Sequence, residues 1–122
     1  MKPLLVLLIL RGCISPVDST SEVELGYFRG SSTDSTILLS WSTIREQDNY
    51  GFEVQKARSY SPFTSIGFVS GNGTTSEPHF YSFADHTLLG GKWRYRLKQI
   101  DLDNSFHYSY TITIIQPERV TQ

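Results

Sequence analysis

Ile37-Leu-Leu-Ser-Trp-Ser42 is the stretch whose reading decides the fold. Ile37, Leu39 and Trp41 alternate with Leu38, Ser40 and Ser42. That two-residue period belongs to a strand with one face against a core. A Trp at the end of the inward series suits the centre of a small two-layer β domain, where a large ring fills the space between facing sheets. The pattern recurs downstream. Phe52 and Val54 alternate with Glu53 and Gln55, and Trp93, Tyr95 and Leu97 with Arg94, Arg96 and Lys98.

Seven strands are predicted on this basis: Val23 to Arg29, Thr36 to Thr43, Tyr50 to Arg58, Phe63 to Ser70, His79 to Asp85, Lys92 to Leu102 and Phe106 to Ile115. Polar or glycine-rich segments separate them. Arg45 to Asn49 and Ser59 to Pro62 read as turns, Gly71 to Pro78 as a loop, and Asp103-Asn104 as a two-residue hairpin connection. Short strands spaced by turns, with no sustained helical period, give an all-β, seven-stranded antiparallel sandwich. The predicted core is Leu39, Trp41, Phe52, Val54, Ile66, Phe68, Tyr81, Phe83, Tyr95 and Leu97.

The composition agrees with one domain. The chain has 122 residues, a net charge of −1, seven Tyr, seven Phe and two Trp. Aromatic and β-branched residues favour strands, and a disordered chain would lack them. The near-neutral charge argues against nucleic acid as a partner. The single Cys13 excludes an internal disulfide and a multi-cysteine metal site.

Residues 1–21 differ from the rest. Lys2 is followed by the apolar run Leu4 to Leu10, then Arg11-Gly12-Cys13. The run is too short to span a bilayer as a helix. It reads as an export signal or as the linker remnant of an upstream region. Leu10-Arg-Gly-Cys13 also resembles a bacterial lipobox, with Arg11 departing from the pattern. That resemblance implies a lipid on Cys13 as the route to a membrane. The expected organisation is 1–21 signal or remnant, 22–117 sandwich and 118–122 tail.

Several motifs carry a family resemblance. Ile37-x-Leu39-x-Trp41 and Leu89-Gly-Gly-Lys-Trp-Arg-Tyr95-Arg-Leu97 resemble the fibronectin type III pattern of the immunoglobulin-like sandwiches. In that family the Tyr forms a corner, which implies a bond from the Tyr95 hydroxyl to backbone near Leu89 to Gly91. Leu39-Ser-Trp-Ser-Thr43, Asn49-Tyr-Gly-Phe-Glu-Val-Gln55, Ile66-Gly-Phe-Val69 and Tyr95-Arg-Leu-Lys-Gln-Ile-Asp101 occur in order. Together they resemble a fibronectin type III-like module of bacterial secreted proteins, the kind that precedes a type IX secretion sorting domain. The resemblance implies a non-catalytic accessory role, with neighbouring domains of an exported or cell-surface protein as partners.

Residues that could carry chemistry are few. His79, His86 and His107 lack metal-ligand spacing and read as surface residues, with His107 outward on the last strand. No nucleophile elbow occurs. Asp101-Leu-Asp103-Asn-Ser105 resembles the start of a calcium loop, but Ile112 stands where a bidentate Glu is needed. Neither a catalytic residue, a metal site nor a cofactor is expected.

One constellation does suggest a surface. Lys92, Arg94, Arg96 and Lys98 fall on the face of one strand opposite Trp93, Tyr95 and Leu97. Glu53 and Gln55 of the neighbouring strand should face them, which on the plainest reading is a solvated face with cross-strand ion pairs to Glu53. This row is the candidate partner surface, for a protein or an anionic cell-surface glycan. The alternative is a carbohydrate-binding module whose platform would be Tyr60, Phe63, Trp93 and Tyr110.

Overall fold

A computed structural model describes residues 23–33, 35–86 and 90–117. The apolar run, Cys13, Leu88, Leu89 and the tail lie outside the described residues. Seven strands are present among those described: β1 (Glu24–Ser32), β2 (Ile37–Arg58), β3 (Thr64–Thr75), β4 (His79–Asp85), β5 (Gly91–Asp101), β6 (Phe106–Tyr108) and β7 (Ile112–Gln116). Every pairing is antiparallel, and no described residue is helical. The fold is all-β and consistent with a sandwich.

The main departure from the sequence reading is β2. The predicted turn Arg45 to Asn49 is instead the middle of one 22-residue strand. Its first half pairs with β1 and β4, and its second half with β3 and β5. All seven strands therefore belong to one hydrogen-bonded system rather than to two separate sheets. The change of direction is made inside the strand. Register shifts fall between Glu46 and Asn49 and between Asn49 and Gly51, and Asp48 adopts φ 52°. Bulges of this kind bend a strand without ending it, and Asp tolerates the left-handed region.

The halves of β2 bring their apolar faces together. Phe28, Ile37, Leu39, Trp41, Phe52, Val54, Trp93, Tyr95 and Leu97 form the buried cluster. The Trp41 ring meets Phe52 edge-on at 5.5 Å and stacks on Tyr81 at 5.7 Å. Tyr81 and Phe83 pack against the cluster but keep some exposure, because β4 pairs on one side only. Phe68 corrects the predicted core: it is 42% exposed. Val54 pairs with Gly67 while Gln55 pairs with Ser65, so Ile66 is an extra residue. That bulge shifts the alternation, turning Ile66 and Val69 inward and Phe68 outward.

Three further boundaries differ. The Gly-rich stretch remains strand to Thr75, pairing Gly73 with Asn49 and Thr75 with Glu46. The hairpin after β5 has three loop residues, not two. Asp101 N–H donates to Ser105 O and Asn104 N–H to Asp101 O, with Asn104 at φ 74°. This is the turn-plus-left-handed-residue loop. Finally, the last predicted strand is broken into β6 and β7. Lys98 pairs with Tyr108 but Tyr95 with Ile112, so the far strand gains one residue between them. Ser109 bridges the gap: its N–H donates to Leu97 O, and its hydroxyl accepts from Leu97 N–H. The extra residue inverts the alternation of β6, so Phe106 and Tyr108 lie on the outer face and His107, opposite the inward Gln99, does not.

Candidate interaction face

A buried carboxylate and a partly buried one are the first places to look for chemistry. Glu46 sits at the bend of β2 and is 2% exposed. Thr43 Oγ1 donates to its Oε2 at 2.7 Å, Asn49 Nδ2 to Oε1 at 2.8 Å and Asn72 N–H to Oε1 at 3.0 Å. The Tyr81 hydroxyl donates to Oε2 as well. Burial pushes the Glu46 carboxyl up, but the four donors, led by Tyr81, together hold it below its ordinary value. Burial and the Glu46 bond push the Tyr81 hydroxyl up to about 12.

The second carboxylate is Asp85 at the end of β4. It accepts from the Tyr95 hydroxyl at 2.5 Å and pairs with Lys56 Nζ at 2.7 Å. Among the described residues the Tyr95 hydroxyl donates to a side-chain carboxylate, and the corner bond expected near Leu89 falls on residues outside those described. Burial, then the bond to Asp85 and its charge, push the Tyr95 hydroxyl well above the ordinary tyrosine range. Lys56 also lies 4.1 Å over the Trp93 ring. Each carboxylate joins strands from both ladders, β2, β3 and β4 in one case, β2, β4 and β5 in the other.

The outer face of β2, β3, β5 and β6 is different. Here the alternation of β5 places Arg94, Arg96 and Lys98 in a line, with Lys92 exposed at its end. Arg94 is tied into the turn after β2, its Nε 2.5 Å from Ser59 O and its Nη2 2.8 Å from Ser61 O. Arg96 lies between two rings, 4.1 Å from the centre of Phe63 and 3.8 Å from that of Tyr108. Its Nε donates to Gln55 Oε1 at 2.7 Å, and Gln55 Nε2 donates to Glu53 Oε2 at 2.7 Å. Lys98 rests 4.2 Å over Phe106. Glu53 is opposite Lys98 in register, but its expected ion pair is replaced by the Gln55 bond. The ion pairs among the described residues are Arg45–Glu24 and Lys56–Asp85.

Aromatics that the sequence does not assign to this face flank the row. Tyr50 and Phe68 pack together on one side at 5.0 Å, Phe106 and Tyr108 on the other at 5.4 Å. Phe106 and Tyr108 escaped because the break at Ser109 inverts their face. Phe68 escaped because of the Ile66 bulge.

The four platform aromatics do not assemble. Trp93 is 8% exposed and covered by Lys56 and Arg58. Phe63 lies under Arg94 and Arg96. The Tyr110 hydroxyl both accepts from Phe28 N–H and donates to Phe28 O, pinning β1 to the far strand. Tyr60 alone stands free. A cleft of about 460 Å³ opens where β1 begins, lined by Val23, Leu25, Gln99, His107 and Tyr110 among others. Gln99 there is held by Asn49 and Asp101.

Among the described residues no group of His, Cys, Asp or Glu is arranged to hold a metal ion. The chain matches no known family model and no curated protein.

Proposed function

We propose that this chain is a non-catalytic accessory module, a fibronectin type III-like β-sandwich that acts as a spacer or docking domain in a bacterial exported or cell-surface protein. The observation that carries the reading is the use of the buried Glu46 and the partly buried Asp85. Glu46 is held by four donors, two of them from β3 and β4, and Asp85 Oδ2 accepts from Tyr95 of β5 and pairs with Lys56 of β2, so both carboxylates fasten strands of the fold. A general acid or base must instead reach a substrate proton. The strand layout gives further support. A β1–β2–β4 ladder and a β3–β2–β5–β6 ladder, linked through β2, resemble the fibronectin type III arrangement. Export, a type IX secretion context and a lipid on Cys13 rest on residues 1–21 and on the four ordered motifs.

Three experiments test this. The full chain, tagged at its C-terminus and expressed in a bacterium with type IX secretion, should fractionate with the envelope or the medium. Recovery in the cytoplasm contradicts export. Labelled fatty acid should be incorporated by the wild type and not by Cys13→Ser if a lipid is attached. For the accessory role, purified protein should turn over no glycoside, ester or peptide substrate. Turnover that Glu46→Gln or Asp85→Asn abolishes without unfolding would replace the module with an enzyme.

A further inference from the structure

We infer that the outer face of β5 binds an extended acidic polypeptide segment with carboxylates at alternate positions, read by Arg96 and Lys98. This deepens the docking half of the proposed function by naming the chemistry of the partner.

Arg96 is positioned before any partner arrives. Phe63 and Tyr108 enclose its guanidinium, and Gln55, itself held by Glu53, fixes Nε. Nε donation is the one hydrogen bond its guanidinium makes among the described residues. The Nη edge therefore remains for a planar carboxylate, which guanidinium recognises through paired donors. Lys98 lies on Phe106 with no carboxylate in ion-pair range among the described residues. Aromatic rings under a cation hold it by cation–π attraction while leaving its charge unneutralised.

The spacing selects the partner. Arg96 and Lys98 are two residues apart on one strand, so their stems are separated by about 6.7 Å. Side chains at alternate positions of any extended peptide repeat at the same ~6.7 Å. An extended segment laid along β5 can thus set successive carboxylates over both cations. The face also has walls. Phe68 and Tyr108 lie in one cross-strand row with Glu53 and Lys98 between them, a width of three strand spacings or about 14 Å. Glu53 is the one acid in that row, and its carboxylate is already taken up by Gln55.

The rings beside the two cations are poorly suited to a nucleic acid or a polysaccharide. Both use open aromatic faces, the first for base stacking. Here Arg94 and Arg96 cover Phe63, Arg96 covers Tyr108, and Lys98 covers Phe106. The remaining pair on this face, Tyr50 and Phe68, pack on each other.

The test uses the full chain and labelled peptides, read by fluorescence anisotropy at low and physiological salt. One peptide alternates Glu and Thr over twelve residues. A second has the same composition with all Glu in one block. Heparin and an oligothymidylate serve as competitors. The alternating peptide should bind at least five-fold more tightly than the blocked one, and binding should weaken with salt because exposed charges are screened beyond ~8–10 Å. Arg96→Gln with Lys98→Gln should weaken it at least ten-fold. Arg29→Gln, a cation stacked on Tyr27 in the other ladder, should change it less than two-fold. Circular dichroism on each variant checks folding, and the comparison of the two peptides on the wild type needs no variant. Equal binding of the two peptides overturns the inference. So does heparin or oligothymidylate binding more tightly than the alternating peptide, or no peptide binding at millimolar concentration. None of these outcomes bears on export, so failure here is distinguishable from failure of the proposed function.

Discussion

Trp41 and Glu46 lie five positions apart on one strand, and they differ in what the sequence reveals of them. Trp41 is fully buried among Phe28, Phe52 and Tyr81, and its alternation with Ser40 and Ser42 makes that burial legible. Trp41→Ala should cost about 3–5 kcal/mol in urea unfolding, leaving a domain of this size close to unfolded. An unchanged midpoint would mean that the ring is not in the core. Glu46 stands in a polar stretch that reads as a turn. Its burial depends on Thr43, Asn49, Asn72 and Tyr81, donors from three strands that no local pattern connects. The pH dependence follows from these bonds. The Glu46 pKa is lowered by folding, so its contribution is full above the ordinary value of 4.5 and is lost as pH falls through the folded value. The Tyr81 pKa is raised from 10.0 to about 12, so its contribution is full below 10.0 and is lost between there and about 12. Thermal unfolding should show a plateau with both flanks. Tyr81→Phe should reduce the alkaline loss, leaving the part that belongs to Tyr95, and cost about 1–3 kcal/mol at neutral pH, since a buried carboxylate loses one donor. Retention of an unchanged alkaline flank would assign it to another group.

At the scale of elements, the strands themselves were legible and their joints were not. The alternation of Phe52 with Glu53, or of Tyr95 with Arg96, carries which face is buried over a run of paired residues. A single inserted residue cancels that information beyond it, and nothing in Ile66 or Ser109 announces the insertion. This is why the pattern expects Phe68 in the core and does not bring Phe106 and Tyr108 to the outer face, and with them most of the aromatic surround of the basic row. The row itself was legible, because β5 keeps one period from Trp93 to Gln99. The interior of β3 shows how closely the ladders approach. A Cβ on Gly67 would run into the Phe83 ring of β4. Gly67→Ala should therefore destabilise the protein by about 1–3 kcal/mol, the usual cost of overpacking. A neutral or stabilising effect, read as an unchanged or raised melting temperature, would mean that β3 and β4 are not in contact there.

For the whole molecule, one long strand carries both ladders, and two carboxylates fasten their edges to it. Glu46 links the bend of β2 to β3 and β4, and Asp85 links β4 to β2 and β5. Both carboxylates thus serve to fasten strands, while the outer face of β5 carries Arg96 and Lys98 without an ion pair among the described residues. Substitution distinguishes the two uses. Removing a group that serves the fold lowers stability, whereas removing a strained catalytic group commonly leaves it unchanged or raises it. The most direct measurement is urea unfolding of Asp85→Asn beside the wild type. The Lys56 and Asp85 side chains are each 14% exposed, so breaking the pair should cost about 2–4 kcal/mol, somewhat less than for a fully buried pair. A midpoint that falls accordingly supports a carboxylate committed to structure. A midpoint that stays or rises would contradict the account, and would identify Asp85 as a group held for chemistry rather than for the fold.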